Sequence, residues 1–129
     1  MASKGAYILV VEDEAAVRRN LARFLTLEGY EVREAANGEQ AIEIAMRAPP
    51  ELVLCDLLMP GADGFAVLAR LRAEPRTAAT PFIFLSANAE PRNTQTGFLL
   101  GANEYLTKPV DLDVLAVAIA RRLAEAGGP

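Results

Sequence analysis

The chain of 129 residues has no histidine, a single cysteine and only two lysines. Without histidine, the chain itself cannot supply imidazole metal ligands, a His-based catalytic triad or a phosphohistidine. The lone Cys55 excludes an internal disulfide, which fits a reducing cytoplasm, and its apolar surroundings predict a packed core thiol. The other eleven cationic residues are arginines. A lysine at position 108 therefore has two interpretations: its site needs a compact positive charge that the planar arginine cannot supply, or it is an incidental surface residue.

The chain also lacks a long hydrophobic run and a signal-peptide pattern, so we expect no membrane association and a cytoplasmic location. A net charge of −4 argues against direct binding of nucleic acid. The composition is 52% hydrophobic and 23% charged, as in globular proteins. The length predicts one domain over 1–129, with an ordered core over about 5–125 and a tail or the start of a linker over 126–129.

Apolar runs alternate with amphipathic stretches, a pattern that predicts an α/β fold with an open, doubly wound parallel sheet. The predicted strands lie near 7–11, 31–35, 52–56, 81–86 and 103–107. The predicted helices lie near 14–28, 38–47, 64–74, 90–100 and 111–125. The fourth helix should be the least stable, because it contains Gly97 and its apolar residues 98–100 cluster. Asp111 is the expected N-cap of the last helix, whose apolar stripe comprises Leu112, Leu115, Ala116, Ile119 and Leu123.

Polar residues follow the apolar runs at four points. Glu12 and Asp13 end the first strand, Asp56 the third, Ser86 the fourth and Lys108 the fifth. Ligands of open α/β sheets bind outside the carboxyl ends of the strands, so these side chains should share one edge. Clustered carboxylates favour a hard divalent cation, and Mg²⁺ is the natural candidate.

With Mg²⁺ present, Asp56 can act as a nucleophile toward phosphorus while Lys108 holds a phosphoryl oxygen. Simpler interpretations exist for single residues. The acids over 12–14 could merely complement a helix dipole, and Ser86 could be a helix or turn cap. No glycine-rich phosphate loop follows the first strand, so phosphate would bind only together with the metal.

Four stretches of the chain resemble the receiver domain of bacterial two-component response regulators. They are ILVVEDE (8–14), DLLMPGADG (56–64), LSA (85–87) and GANEYLTKP (101–109). The resemblance covers nearly the whole chain and implies a flavodoxin-like sheet of order 2-1-3-4-5 with five helices. It also implies that the domain is not an enzyme beyond catalysing its own phosphoryl transfer and autodephosphorylation.

The resemblance further implies roles for individual residues. Asp56 would accept phosphate, and Glu12, Asp13, Asp56 and the backbone carbonyl of Leu58 would bind Mg²⁺. Lys108 would contact the phosphoryl group and precede a cis bond to Pro109, while Ser86 and Tyr105 would be switch residues.

The donor would be a sensor histidine kinase or a histidine phosphotransfer protein. The target would be a downstream protein or a covalently linked output domain, and a homodimer could form through the face made by the fourth helix, fifth strand and fifth helix (α4-β5-α5).

Two departures and two alternatives accompany this interpretation. The acidic pair is Glu-Asp where the family often has Asp-Asp, and the apolar Leu58 cannot orient an attacking water, which predicts a persistent phosphoaspartate. A receiver-like interaction module that is never phosphorylated is the main alternative. An aspartate-dependent phosphohydrolase is less consistent, because its acid-base Asp two residues after the nucleophile is replaced here by Leu58.

Overall fold

The structure, a computed structural model, describes residues 5–127 as five strands that alternate with five helices. The strands are β1 (Tyr7–Val11), β2 (Glu31–Ala35), β3 (Leu52–Cys55), β4 (Phe82–Ser86) and β5 (Glu104–Thr107). The helices are α1 (Ala15–Leu27), α2 (Gly38–Arg47), α3 (Gly64–Arg72), α4 (Pro91–Leu99) and α5 (Leu112–Gly127). The strands form one parallel sheet of order β2-β1-β3-β4-β5, so the predicted fold class and strand order are confirmed.

The central strands are buried on both faces, as expected of a parallel sheet covered by helices on each side. Alternate residues of β1, β3 and β4 enter two separate cores. One core lies against α2 and α3 and contains Phe82 and Phe84, while the other lies against α1 and α5 and contains Ile83 and Leu85. This two-sided burial explains the continuous apolar runs seen in the sequence.

The helix ends follow local capping chemistry. Asp63 and Asn37 cap α3 and α2 by accepting hydrogen bonds from the backbone N–H three residues further on. The predicted cap of α5 is confirmed, since a carboxylate oxygen of Asp111 accepts from the N–H of Asp113 at 2.8 Å. Within the predicted stripe of α5, Leu112 is exposed, because it lies at the first turn beyond the edge of the core.

The last helix continues to Gly127, two residues past the predicted end, because Ala126 extends a helix readily. Residues 128–129 of the predicted tail lie outside the described part of the chain. Within residues 5–127, none of the helices combines the length and the apolar character that a membrane crossing requires.

The fourth helix touches the sheet through a small residue. Gly97 is the buried residue of α4, whereas Phe98, Leu99 and Leu100 are exposed. A Cβ atom at Gly97 would lie 3.2 Å from the ring of Phe84 and 3.5 Å from the ring of Tyr105. Glycine therefore lets α4 approach β4 and β5, at a cost of about 1 kcal/mol in helix propensity.

Candidate functional site

Backbone hydrogen bonds between strands bring the predicted site residues to one edge of the sheet. The N–H of Asp56 donates to the carbonyl of Val11 at 2.9 Å, which sets the end of β3 beside the end of β1. The N–H of Lys108 donates to the carbonyl of Ser86 at 2.9 Å, which sets the end of β5 beside the end of β4. The register of the sheet thus gathers residues that are up to 96 positions apart in the chain.

Three carboxylates meet at this edge. Oxygen atoms of Glu12, Asp13 and Asp56 all lie within 4.8 Å of one another. Glu12 is almost fully buried, with 3% of its side chain exposed, Asp56 is 11% exposed, and Asp13 is exposed. An all-oxygen donor set with one accessible side is the chemistry that Mg²⁺ prefers, so these residues fit a hard divalent cation.

Lys108 bridges two of the acids. Its Nζ donates to Oε1 of Glu12 at 2.6 Å and to Oδ2 of Asp56 at 3.3 Å. The second oxygen of each acid is held by a backbone N–H, from Glu14 to Glu12 at 3.0 Å and from Leu57 to Asp56 at 2.7 Å. The carboxylates are therefore fixed in direction as well as brought together.

Burial and charge oppose each other in this cluster. Burial raises the pKa of Glu12, and the hydrogen bond from Lys108 only partly offsets it. Burial also acts to lower the pKa of Lys108, but its hydrogen bond to Glu12 and the negative charges of Asp56 and Glu12 outweigh it, so the pKa is raised. Lys108 consequently remains a cation throughout the physiological range.

A glycine makes room for the loop that begins at Asp56. A Cβ atom on Gly64, at the start of α3, would lie 2.5 Å from the carbonyl oxygen of Asp56 and 2.7 Å from the ring of Phe84. Any larger residue would displace the backbone of Asp56. The carbonyl oxygen of Leu57 accepts from the N–H of Gly64 at 2.8 Å, which fixes the same segment.

The predicted switch residues lie on strands, Ser86 at the end of β4 and Tyr105 within β5, and both contact the loop between β4 and α4. Ser86 is buried and its Oγ accepts from the N–H of Asn88 at 3.1 Å, the turn contact that was the simpler interpretation of this residue. The hydroxyl of Tyr105 donates to the carbonyl oxygen of Asn88 at 2.6 Å. Both side chains thus hold one residue of the β4–α4 loop, Asn88, to the sheet.

Tyr105 also belongs to an aromatic cluster. Its ring centroid lies 5.5 Å from that of Phe84, which in turn packs edge-to-face on Phe82 and Phe65. Burial raises the pKa of Tyr105, the nearby Ser86 hydroxyl partly offsets this, and the negative charge of Asp56 adds to it. The phenol is therefore neutral and remains a hydrogen-bond donor at neutral pH.

Two other predicted residues lie at the rim of the site. The side chain of Leu58 is 60% exposed and follows Asp56 in the loop after β3. The peptide bond between Lys108 and Pro109 is cis, as the resemblance implied. The role of the Leu58 carbonyl as a metal ligand stays a prediction.

The sequence profile of the family described as "Response regulator receiver domain" matches residues 8–120. The chain belongs to this family. The receiver is 44% identical over 102 residues to the transcriptional regulatory protein ResD of Bacillus subtilis, covering 79% of this chain and 41% of that protein. It is 39% identical over 105 residues to the phosphate regulon transcriptional regulatory protein PhoB of Pseudomonas aeruginosa, covering 81% of this chain and 46% of that protein.

Solved structures share the whole fold. A putative response regulator from Chloroflexus aurantiacus superposes with a TM-score of 0.89 at 36% identity, covering 94% of this chain and 99% of that one. The chemotaxis protein CheY4 of Vibrio cholerae superposes with a TM-score of 0.86 at 30% identity, covering 91% of this chain and 98% of that one. The receiver spans less than half of the length of ResD and PhoB, both of which are transcriptional regulatory proteins.

One contact near the receiver's acidic site was not foreseen from the sequence. Arg18 donates from Nη1 to the carbonyl oxygen of Glu12 at 2.9 Å and from Nε to Oε1 of Glu34 at 3.1 Å. The only indication of this contact in the sequence is that Arg18 lies in the first turns of α1, a few residues after the acids. Two arginines of α5, Arg121 and Arg122, both donate to the carboxylate of Glu104 on β5, each at 2.9 Å.

Proposed function

We propose that this receiver is a Mg²⁺-dependent phosphoacceptor of two-component signalling, with Asp56 as the residue that is phosphorylated. The observation that carries the proposal is the convergence of Glu12, Asp13 and Asp56 within 4.8 Å, with Lys108 bonded to two of them. Asp56 is the acid that combines a central position with partial access to solvent. A nucleophile needs both, because it must be oriented and also be reachable by the donor.

In the proposed reaction, a carboxylate oxygen of Asp56 attacks the phosphorus of the donor. The new oxygen–phosphorus bond replaces the bond from phosphorus to a histidine nitrogen of a sensor kinase or histidine phosphotransfer protein, and the imidazole leaves. The carboxylates of Glu12, Asp13 and Asp56, with the carbonyl of Leu58, would hold Mg²⁺. When bound, the ion neutralises the negative charge that carboxylates and phosphoryl group would otherwise accumulate.

We infer that Lys108 contacts the phosphoryl group in the product. Its Nζ lies 3.3 Å from Oδ2 of Asp56, so a phosphoryl group on that carboxylate would be within reach of the ammonium after a small side-chain movement. The hydrogen bond from the N–H of Leu57 holds the other oxygen, Oδ1, at 2.7 Å. We infer that Oδ2 is the attacking oxygen, since Oδ1 is engaged by the backbone.

The proposed switch links the phosphoryl group to α4. A dianionic phosphoryl group offers strong acceptors, and the Ser86 hydroxyl, at the end of β4, is a neutral donor at the same edge of the sheet. If Ser86 turns toward it, Ser86 releases the N–H of Asn88, and the Tyr105–Asn88 contact must change as well. The consequence is a rearrangement of the β4–α4 loop and α4, a shift between two states of the domain.

The proposed output surface is the α4-β5-α5 face. Val114 and Val117 are exposed there and Leu106 is partly exposed, while Glu104 is neutralised within the chain by two arginines. We propose that this apolar face binds a downstream protein or linked output domain, or a second copy, in the cytoplasm, and that the receiver itself does not bind nucleic acid. Sedimentation with and without a phosphoryl mimic should show whether a homodimer forms on activation.

The phosphoacceptor proposal is tested by intact mass after incubation with acetyl phosphate. We expect one phosphoryl adduct that requires Mg²⁺ and is absent from Asp56→Asn. No adduct, together with no Mg²⁺ binding, would favour the receiver-like interaction module. The switch is tested separately by amide NMR spectra with and without a phosphoryl mimic, which should differ over residues 86–108.

A further inference from the structure

Arg18 connects α1 to the turn that carries the two acids of the first strand. Its side chain is only 14% exposed, which is low for an arginine at a helix surface. The guanidinium bonds the carbonyl oxygen of Glu12 at 2.9 Å on one side and the carboxylate of Glu34, on the edge strand β2, at 3.1 Å on the other. One side chain therefore spans α1, the end of β1 and β2.

The hydrogen bond from Arg18 gives the last polar atom of Glu12, its carbonyl oxygen, a partner. The N–H of Glu12 donates to the carbonyl of Ala35 at 3.0 Å, and its two carboxylate oxygens accept from Lys108 and from the N–H of Glu14. The carbonyl oxygen is the one remaining polar atom, and it lies just past the last paired residue of β1, where the sheet no longer supplies a donor. Arg18 supplies that donor.

We propose that Arg18 is a positioning residue for metal binding, which fixes the Glu12 peptide so that the carboxylates of Glu12 and Asp13 are directed at Asp56. The inference depends on the proposed function, since it concerns the affinity of the same acids for Mg²⁺. Rotation of the Glu12 peptide would move both acids together, because they are consecutive. Partners that orient metal ligands typically account for about 10–100-fold in metal affinity.

Arginine suits this task and lysine does not. The planar guanidinium presents separate N–H groups, Nε to Glu34 and Nη1 to Glu12, in a fixed fork, whereas an ammonium is a single point with flexible donors. The bond to Glu34 also neutralises the positive charge, which would otherwise oppose a divalent cation nearby. A purely electrostatic role for Arg18 predicts the opposite result, because removing a cation would then strengthen Mg²⁺ binding.

The experiment is a Mg²⁺ titration of the unphosphorylated protein, followed by the amide NMR signals of residues 12–14 and 56–58. Arg18→Met should raise the Mg²⁺ Kd about tenfold or more, and Arg18→Lys should not restore it. The matched control is Arg19→Met, because Arg19 is the next residue of the same helix and is exposed. Its Kd should stay within about twofold of that of the unmodified protein, as for an ordinary surface substitution.

A second readout separates positioning from general destabilisation. In acetyl phosphate labelling, Arg18→Met should raise the Mg²⁺ concentration needed for half-maximal labelling but leave the rate at saturating Mg²⁺ nearly unchanged. If Arg18→Met does not fold, Glu34→Gln removes only the anchor of the guanidinium and should raise Kd by up to about fivefold.

An unchanged or tighter Kd in Arg18→Met, with Mg²⁺ binding normal in the unmodified protein, overturns this inference alone. Absence of Mg²⁺ binding in the unmodified protein overturns the proposed function and this inference with it.

Discussion

The ammonium of Lys108 lies 2.6 Å from the carboxylate of Glu12, although the two residues are 96 positions apart in the chain. Glu12 is buried and Lys108 is 24% exposed, so the lysine compensates a charge that solvent cannot reach. The same ammonium touches Asp56, the proposed phosphoacceptor, at 3.3 Å. We therefore propose that this one lysine both stabilises the domain and contacts the phosphoryl group.

Replacing this lysine should destabilise the metal-free protein. Lys108→Met leaves the buried carboxylate of Glu12 without its cation, and we expect a loss of about 1–2 kcal/mol at neutral pH in urea unfolding. The loss should shrink as the pH falls. Because the pKa of Glu12 is raised, its carboxylate takes up a proton at a higher pH than an ordinary glutamate does, and a neutral carboxyl no longer needs the lysine. Arg70→Met, at an exposed position of α3, should change little. A pH-independent loss would contradict this account of the pair.

Filling the space at Gly97 should perturb the switch region. Gly97→Ala gains about 1 kcal/mol of helix propensity but places a methyl group against the fully buried Phe84, where overpacking typically costs about 1–3 kcal/mol. We expect a net loss near 1 kcal/mol in thermal unfolding and shifted NMR signals for Tyr105. Gln95→Ala, on the exposed side of the same helix, is the control. A more stable Gly97→Ala protein with unchanged Tyr105 signals would refute the close-packing argument.

The exposed Leu58 should lengthen the life of the phosphorylated state. An apolar side chain two residues past Asp56 cannot orient a water for attack, so we expect a persistent phosphoaspartate in the unmodified protein. Leu58→Asn, which offers hydrogen-bonding groups at the same exposed point, should shorten the half-life measured by loss of the phosphoryl adduct. Leu58→Val should leave it nearly unchanged. A half-life of seconds in the unmodified protein would refute this prediction.

The ion pairs between β5 and α5 should contribute a pH-dependent stability. Burial acts to raise the pKa of Glu104, but the hydrogen bonds from Arg121 and Arg122 outweigh it and lower the pKa. A carboxyl with a lowered folded-state pKa stabilises the fold above its unfolded pKa, about 4.3 for Glu, and this contribution disappears as the pH falls through the folded value.

Glu104→Gln should therefore cost about 1 kcal/mol at neutral pH and almost nothing once the carboxyl of the unmodified protein is protonated. Urea unfolding of both proteins at a series of pH values checks this. The prediction fails if the difference between them is as large in acid as at pH 7.

The strands and the location of the site were predictable because they depend on short-range patterns and topology. Runs such as Leu52–Cys55 are apolar throughout, and the carboxyl ends of parallel strands necessarily share an edge. The sequence alone therefore predicts that Asp56 and Lys108 lie close together. The motifs that resemble the receiver family then supplied roles that spacing alone could not.

The contacts of long side chains were not predictable in the same way. Arg18 could have extended into solvent like Arg19, and only the packing of α1 on the sheet brings its guanidinium to Glu12. Likewise, Arg121 and Arg122 are hydrophilic helix residues in the sequence, but the register of α5 against β5 directs both at Glu104. Such contacts depend on the tertiary arrangement, which carries no local signature.

The most direct test of the central claim is to locate the phosphoryl group. Borohydride reduces an aspartyl phosphate to homoserine, so the protein should be labelled with acetyl phosphate and Mg²⁺, reduced, digested and analysed by peptide mass spectrometry. The account predicts homoserine at position 56 and unmodified aspartate at position 13. Homoserine at another aspartate, or none in a protein that carries a phosphoryl adduct, would contradict it.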